Sequence, residues 1–225
     1  MSSAAGRLSI VNGWLGWGDP TGGLWFIGME EGAVYTKAKV AEVAASVDRS
    51  HNPSEGKDRK GQPVATKTAK IVSKLIGFPS VTDYRNKHLW LLRSKVFNGN
   101  LLPIGKPHMT SEWPTDYPKL FGFSAKEFAK YYETTLKPER YGRFKEFRKK
   151  HKPQAIVCFG KKFWPEFETV FVNNPSDRRS HIEADIKVYA QDRVLLTRHF
   201  AYMSNESVEL VVRTLTDWGV TLPCP

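Results

Sequence analysis

Apolar positions along the chain fall into two kinds of run. Leu24-Trp25-Phe26-Ile27 and Ala155-Ile156-Val157-Cys158-Phe159 show no alternation and stop at glycine, Gly28 and Gly160. A strand with one wet face alternates; a strand covered by helices on both faces does not. Both runs therefore predict central strands of a parallel sheet. A shorter one, starting at Lys95, runs into Asn98-Gly99-Asn100 and a loop punctuated by Pro103 and Gly105. Residues 186–190 and 193–197 predict a hairpin or final strand pair.

The other kind of run repeats at helical spacing. Residues 37–47 place Val40, Val43, Ala44 and Val47 on one face, and residues 66–76 end at Gly77 and Pro79. Residues 83–92 predict a third helix with Trp90 buried. Ser124 and Glu127 form a capping box at the head of residues 124–136. Residues 138–151 set Tyr141, Phe144 and Phe147 on one side, with Arg140, Arg143, Lys145, Arg148, Lys149 and Lys150 elsewhere. Residues 161–171 and 207–218 predict the last two helices. Residues 10–23, rich in Gly and Trp, read as an irregular lead-in whose tryptophans pack on the sheet edge. Residues 48–61 read as a polar, basic loop able to act as a backbone-contacting arm. The order of elements implies an α/β fold, a three-layer α/β/α sandwich around a central, mainly parallel sheet, in one domain over residues 1–225.

Charge changes this picture. The 225 residues carry a formal net charge of +11, which points to a polyanionic partner, because phosphate contacts release counterions and steer association. DNA is the expected partner. No stretch reads as a membrane span or an amphipathic membrane-surface helix, so no membrane is expected. The two cysteines, Cys158 and Cys224, are too few for a disulfide framework or a four-thiolate metal or iron–sulfur site. A reducing cytoplasm, a monomer, no metal and no cofactor are the expectations.

Candidate chemistry collects at strand ends. Glu30 and Glu31 follow the first strand, Asn98 and Asn100 close the second, Gly160 ends the third and His199 follows the last. In a parallel sheet those ends share one edge, where open α/β sheets bind ligands. A carboxylate there can orient or deprotonate water, and an imidazole can stabilise charge on a leaving group. An asparagine amide offers both donor and acceptor to a base edge. Hydrolysis of an N-glycosidic bond needs these parts. A helix N-terminus is the simpler use of the two acids, and a turn is the simpler use of Asn-Gly-Asn.

The motifs resemble those of the uracil-DNA glycosylase superfamily. Phe26-Ile27-Gly28-Met29-Glu30-Glu31-Gly32 is similar to its first motif, and Leu196-Thr197-Arg198-His199-Phe200-Ala201-Tyr202 to its second. Between them, Asn100-Leu101-Leu102-Pro103-Ile104-Gly105 is similar to the strand that ends in a base-reading asparagine. The resemblance implies that Glu30, with Glu31 beside it, positions water or balances an oxocarbenium ion, and that His199 stabilises the departing base. It implies base recognition by Asn100, or by Asn98 in an alternative register, with Phe97 or Tyr35 stacking on the base. Arg198 and the loop Met203, Ser204 and Asn205 would contact DNA and hold the gap open. No lysine lies in either motif, which favours water as nucleophile over a covalent mechanism.

The chain also departs from the pattern. Glu30 stands where Asp or Asn is commoner, and Glu31 and Phe200 replace prolines. Gly32 replaces the tyrosine that bars a C5 substituent in the uracil-specific branch. The expectation is therefore release of uracil or of a bulky C5-modified pyrimidine, such as a hypermodified phage cytosine, in base-excision repair or anti-phage defence. A catalytically silent nucleic-acid-binding relative is the alternative. A small nucleoside hydrolase fits the basic rim less well.

Overall fold

The computed structural model describes residues 3–21, 23–29, 35–47, 61–105, 112–181 and 185–225. Glu30, Glu31, Gly32 and the basic loop expected over residues 48–61, apart from Gly61, lie outside the described residues.

Seven strands form one sheet, and its centre follows from the unalternated runs. β2 (Leu24–Gly28) lies between β3 (Val96–Asn100) and β4 (Ala155–Phe159), parallel to both, and β7 (Val194–Thr197) is parallel to β4. Every residue of these four strands is buried. Antiparallel strands finish each side: β1 (Gly16–Gly18) on β3, and β6 (Ile186–Tyr189) and β5 (Arg178–His181) beyond β7. The spatial order is β1-β3-β2-β4-β7-β6-β5. The expected α/β/α arrangement is present, with a parallel core and antiparallel edges.

The twofold alternation of the strands divides the core between two faces. Leu24, Phe26, Val96, Val157, Phe159 and Leu195 face α3 (Pro63–Ile76), α4 (Val81–Lys87) and α9 (Asn205–Asp217). Trp25, Ile27, Phe97, Ile156 and Leu196 face α7 (Lys137–His151) and α8 (Trp164–Phe171). A third cluster joins α1 (Ala4–Gly13), α2 (Lys37–Val47), α5 (Asp116–Phe121) and α6 (Ala125–Tyr131) at the β1 side of the sheet. The capping box of Ser124 and Glu127 is formed at the head of α6. From α6 the chain runs through a π-helical turn, Tyr132–Leu136, directly into α7.

Three local readings change. The lead-in is partly regular: α1 fills residues 4–13, and β1 is a strand. β1 needs its glycines, because a Cβ on Gly16, at φ +154°, would stand inside contact distance of the Asn98 carbonyl. The third helix stops at Lys87, and Trp90 is buried outside it at φ 63°. β5 has no clear apolar signal in the sequence. Among the described residues no helix is long and apolar enough to cross a membrane.

Candidate active site

The site is built on the carboxyl edge of the parallel strands, on the α3/α9 face. Register places Gly28 directly beside Asn100, and Ile27 beside Cys158, so Phe159 follows on the other side of Gly28. The three residues form a row: amide, bare backbone, aromatic ring. A Cβ on Gly28 would come within 2.9 Å of two Phe159 ring carbons and 3.1 Å of Asn100 Oδ1. Glycine thus lets an amide and a ring stand next to one another.

The backbone beneath the row is tied down. Leu101 N–H donates to the Gly28 carbonyl at 2.9 Å, and Leu102 N–H to Met29 at 2.6 Å. Asn100 N–H donates to Leu15 O at 3.2 Å. On the far side, Gly160 N–H donates to Thr197 O at 2.9 Å, and the Trp164 indole N–H to the same carbonyl at 3.1 Å. Gly160 holds φ +136°, a conformation that side chains resist, with the Met29 thioether packed against its Cα.

His199 follows β7 at the same edge. Its ring lies 6.0 Å from Phe159, edge to face. Nδ1 accepts a hydrogen bond from Ala201 N–H at 3.2 Å, so the neutral ring carries its proton on Nε2. Burial pushes its pKa below the ordinary value, which keeps that neutral form present into mild acid. The arrangement is a neutral donor beside the Phe159 ring, with the Asn100 amide at the other end of the row. It suits charge developing on a bound heterocycle.

Phe200 braces this arrangement. It is fully buried and stacks on Phe159 at 4.3 Å between centroids, with Phe26 at 6.0 Å.

Other expected site residues lie elsewhere. Phe97 points to the opposite face, between Trp25 at 5.2 Å and Phe147 at 5.5 Å, because it is one residue out of phase with Asn98 and Asn100. Tyr35 is buried in the flanking helical cluster, where its N–H donates to the Tyr117 hydroxyl at 2.8 Å. Neither shares the face of Asn100; Phe159 does, and its ring lies beside Gly28. Asn98 shares that face one step earlier on β3, with Oδ1 buried and without a hydrogen-bond partner among the described residues.

The loop after His199 also differs from expectation. Met203 is buried in the core, and its carbonyl accepts from Lys67 Nζ at 2.7 Å. The Ser204 hydroxyl caps α9, and Asn205 Oδ1 accepts from Lys70 Nζ at 2.8 Å. The large exposed side chain in this turn is Tyr202, at 72%, with its ring 6.1 Å from His199. Lys67 and Lys70 from α3 lie on this side of the edge. On the other, Arg198 and Lys161 both pair with Asp185, at 3.6 and 2.7 Å.

One arginine was read on the wrong face of its helix. Arg140 of α7 is 1% exposed, and its guanidinium sits 5.1 Å from the Phe144 ring. It donates to the carbonyls of Asn12, Trp14 and Asn100. A spacing of four from Phe144 is the signal that places it on the inner face.

A cleft of about 520 Å³ lies at the other end of the sheet, between Lys145, Lys149, Lys152, Pro153, Thr169 and Asn173. Open space alone does not make it a site. The cations of the last turn of α7 complement the negative end of that helix, and no parallel strand ends there.

Neither a family model, nor a curated protein, nor a solved structure matches the chain. The class that fold and site define is an α/β sandwich with an amide, an aromatic ring and an imidazole grouped at the carboxyl edge of its parallel strands.

Proposed function

We propose that the protein is a monofunctional DNA glycosylase, which extrudes a damaged or modified base and hydrolyses its N-glycosidic bond to leave an abasic site. The observation that carries this reading is the row Asn100, Gly28 and Phe159, with the His199 ring, whose Nδ1 is taken by Ala201 N–H, against Phe159. In this mechanism the base stacks on Phe159 and its edge is read by the Asn100 amide. As the sugar gains oxocarbenium character, negative charge moves onto the base and His199 donates to it. Glu30, next in the chain after Met29, is the carboxylate assigned to the water. Phe159 and Asn100 are 4% and 9% exposed, so the base reaches them only with local opening of the side chains above.

Lys67, Lys70, Lys161 and Arg198 supply the positive rim for the phosphates. Tyr202, exposed where Met203 is buried, is the side chain that fills the vacated stack. The substrate is uracil or a bulky C5-modified pyrimidine, the latter on account of Gly32, in repair or anti-phage defence.

The test is mass spectrometry of bases released from duplexes carrying uracil, a glucosylated hydroxymethylcytosine or plain cytosine, with abasic sites scored by alkaline cleavage. Release from a modified duplex, abolished in Glu30→Gln and His199→Ala, is expected. Duplex binding with no base released from any of the three would overturn the enzymatic reading.

A further inference from the structure

We infer that Arg140 is a positioning residue that fixes the base-reading amide of Asn100 from behind, an inference that rests on the glycosylase reading above. A guanidinium is costly to bury, and an apolar side chain of similar volume would fill its place without that cost. Burial pushes the Arg140 pKa down to about 9, so the group is still charged at neutral pH, and its use must lie in its donors. Nη1 donates to Asn12 O at 2.9 Å and to Trp14 O, and Nη2 to Asn100 O at 2.7 Å.

The need for these bonds follows from the topology. Asn12 and Trp14 sit at the C-terminal end of α1, where helix carbonyls lack partners and the helix presents its negative end. Asn100 is the last residue of β3. On the β2 side, its successor Leu101 is held by Gly28. On the β1 side, its N–H reaches Leu15, but β1 begins only at Gly16 and runs the other way. Among the described residues no strand N–H is recorded donating to the Asn100 carbonyl, and the Nη2 donor takes that place. Both backbone groups of Asn100 are thereby fixed on one side, and its side chain projects toward Gly28 from a backbone that cannot rotate. A fork of planar donors does this at several carbonyls at once; an ammonium cannot reproduce the geometry.

The experiment measures single-turnover base release from the modified and the uracil duplex in wild type, Arg140→Lys, Asn100→Ala and the double variant. Circular dichroism checks folding, and Arg140→Gln is the second variant should lysine not be accommodated. The ratio of the two rates is expected to fall by about tenfold or more in Arg140→Lys and no further in the double variant than in Asn100→Ala alone. Equal loss on both duplexes, with the ratio kept, would mean a merely structural arginine and overturn the inference. Nitrogen-15 spectra of the Asn100 side-chain amide give a readout independent of catalysis. Should wild type release no base at all, the glycosylase reading fails, and the amide resonances alone decide the clamp: a shift in Arg140→Lys upholds it, and unchanged resonances overturn it.

Discussion

Replacing Gly28 by alanine tests the geometry of the crevice most directly. The backbone of Gly28 is ordinary strand, so the substitution carries no conformational penalty, and its effect is one methyl group placed against Phe159 at 2.9 Å and Asn100 Oδ1 at 3.1 Å. Carbon atoms prefer roughly 3.5–4.0 Å, so the ring, the amide or both must retreat. Overpacking of this kind costs about 1–3 kcal/mol of stability, and each kcal/mol lowers Tm by about 2–4 °C in a chain of this size. The functional cost is separate. Losing a stacked base contact removes about 1–3 kcal/mol, and losing amide readout of the base edge about as much again. The two together predict a fall in single-turnover base release of roughly 30- to 10⁴-fold at 1.4 kcal/mol per factor of ten. Affinity for an abasic product duplex, which offers no base, should stay close to wild type. Release at the wild-type rate from a folded Gly28→Ala variant would refute the placement of the base between Asn100 and Phe159.

Three further outcomes follow from the geometry. The proposed mechanism needs His199 neutral, and its pKa is lowered by burial, so the acid limb of the single-turnover rate should fall below the ordinary value of 6.5; a limb above 6.5 would show that another group is limiting. The linked stability has the sign of a depressed base: it is fully present above 6.5 and lost as pH falls through the folded-state value, measurable by denaturant titration of wild type against His199→Ala. Asp185 binds Lys161 at 2.7 Å and Arg198 at 3.6 Å, so Asp185→Asn should free both for phosphate. Tighter duplex binding, with the plot of log K against log salt steeper by about 1–2, is the expected result in a salt titration; an unchanged slope would remove these cations from the interface. Gly142 sits within α7 with nothing within 4 Å of where a Cβ would stand, so Gly142→Ala should stabilise by roughly 0.5–1 kcal/mol, read as a rise of about 1–4 °C in a melting curve.

The central strands were legible because burial on both faces leaves an unmistakable mark, as in 24–28 and 155–159. Asn100 was legible because a polar residue closing such a strand breaks that mark. Phe159 was not, since a phenylalanine in an apolar run reads as core wherever it stands. Only the register beside Gly28 shows that its ring ends the row. Phe97, offered for stacking, could have been excluded from the sequence alone, since in a strand it is out of phase with both asparagines. α1 escaped notice because its apolar residues do not gather on one face, and Arg140 because a cation among cations looks solvated. Tyr202 and Met203 differ in exposure for a reason no local pattern carries: α3 reaches across and holds the Met203 carbonyl through Lys67.

The sheet order has a consequence for when the protein becomes competent. Asn100, Gly28, Phe159 and His199 arrive on segments widely separated along the chain, and β2, which meets both flanking strands, is made first of the four. During synthesis it waits with two unpaired sides until residues 96–100 and then 155–159 have left the ribosome. Slow, non-local pairing of this kind favours protection of the nascent chain. It also means that no translation product ending before β7 can bring Asn100, Gly28, Phe159 and His199 to one edge of the sheet.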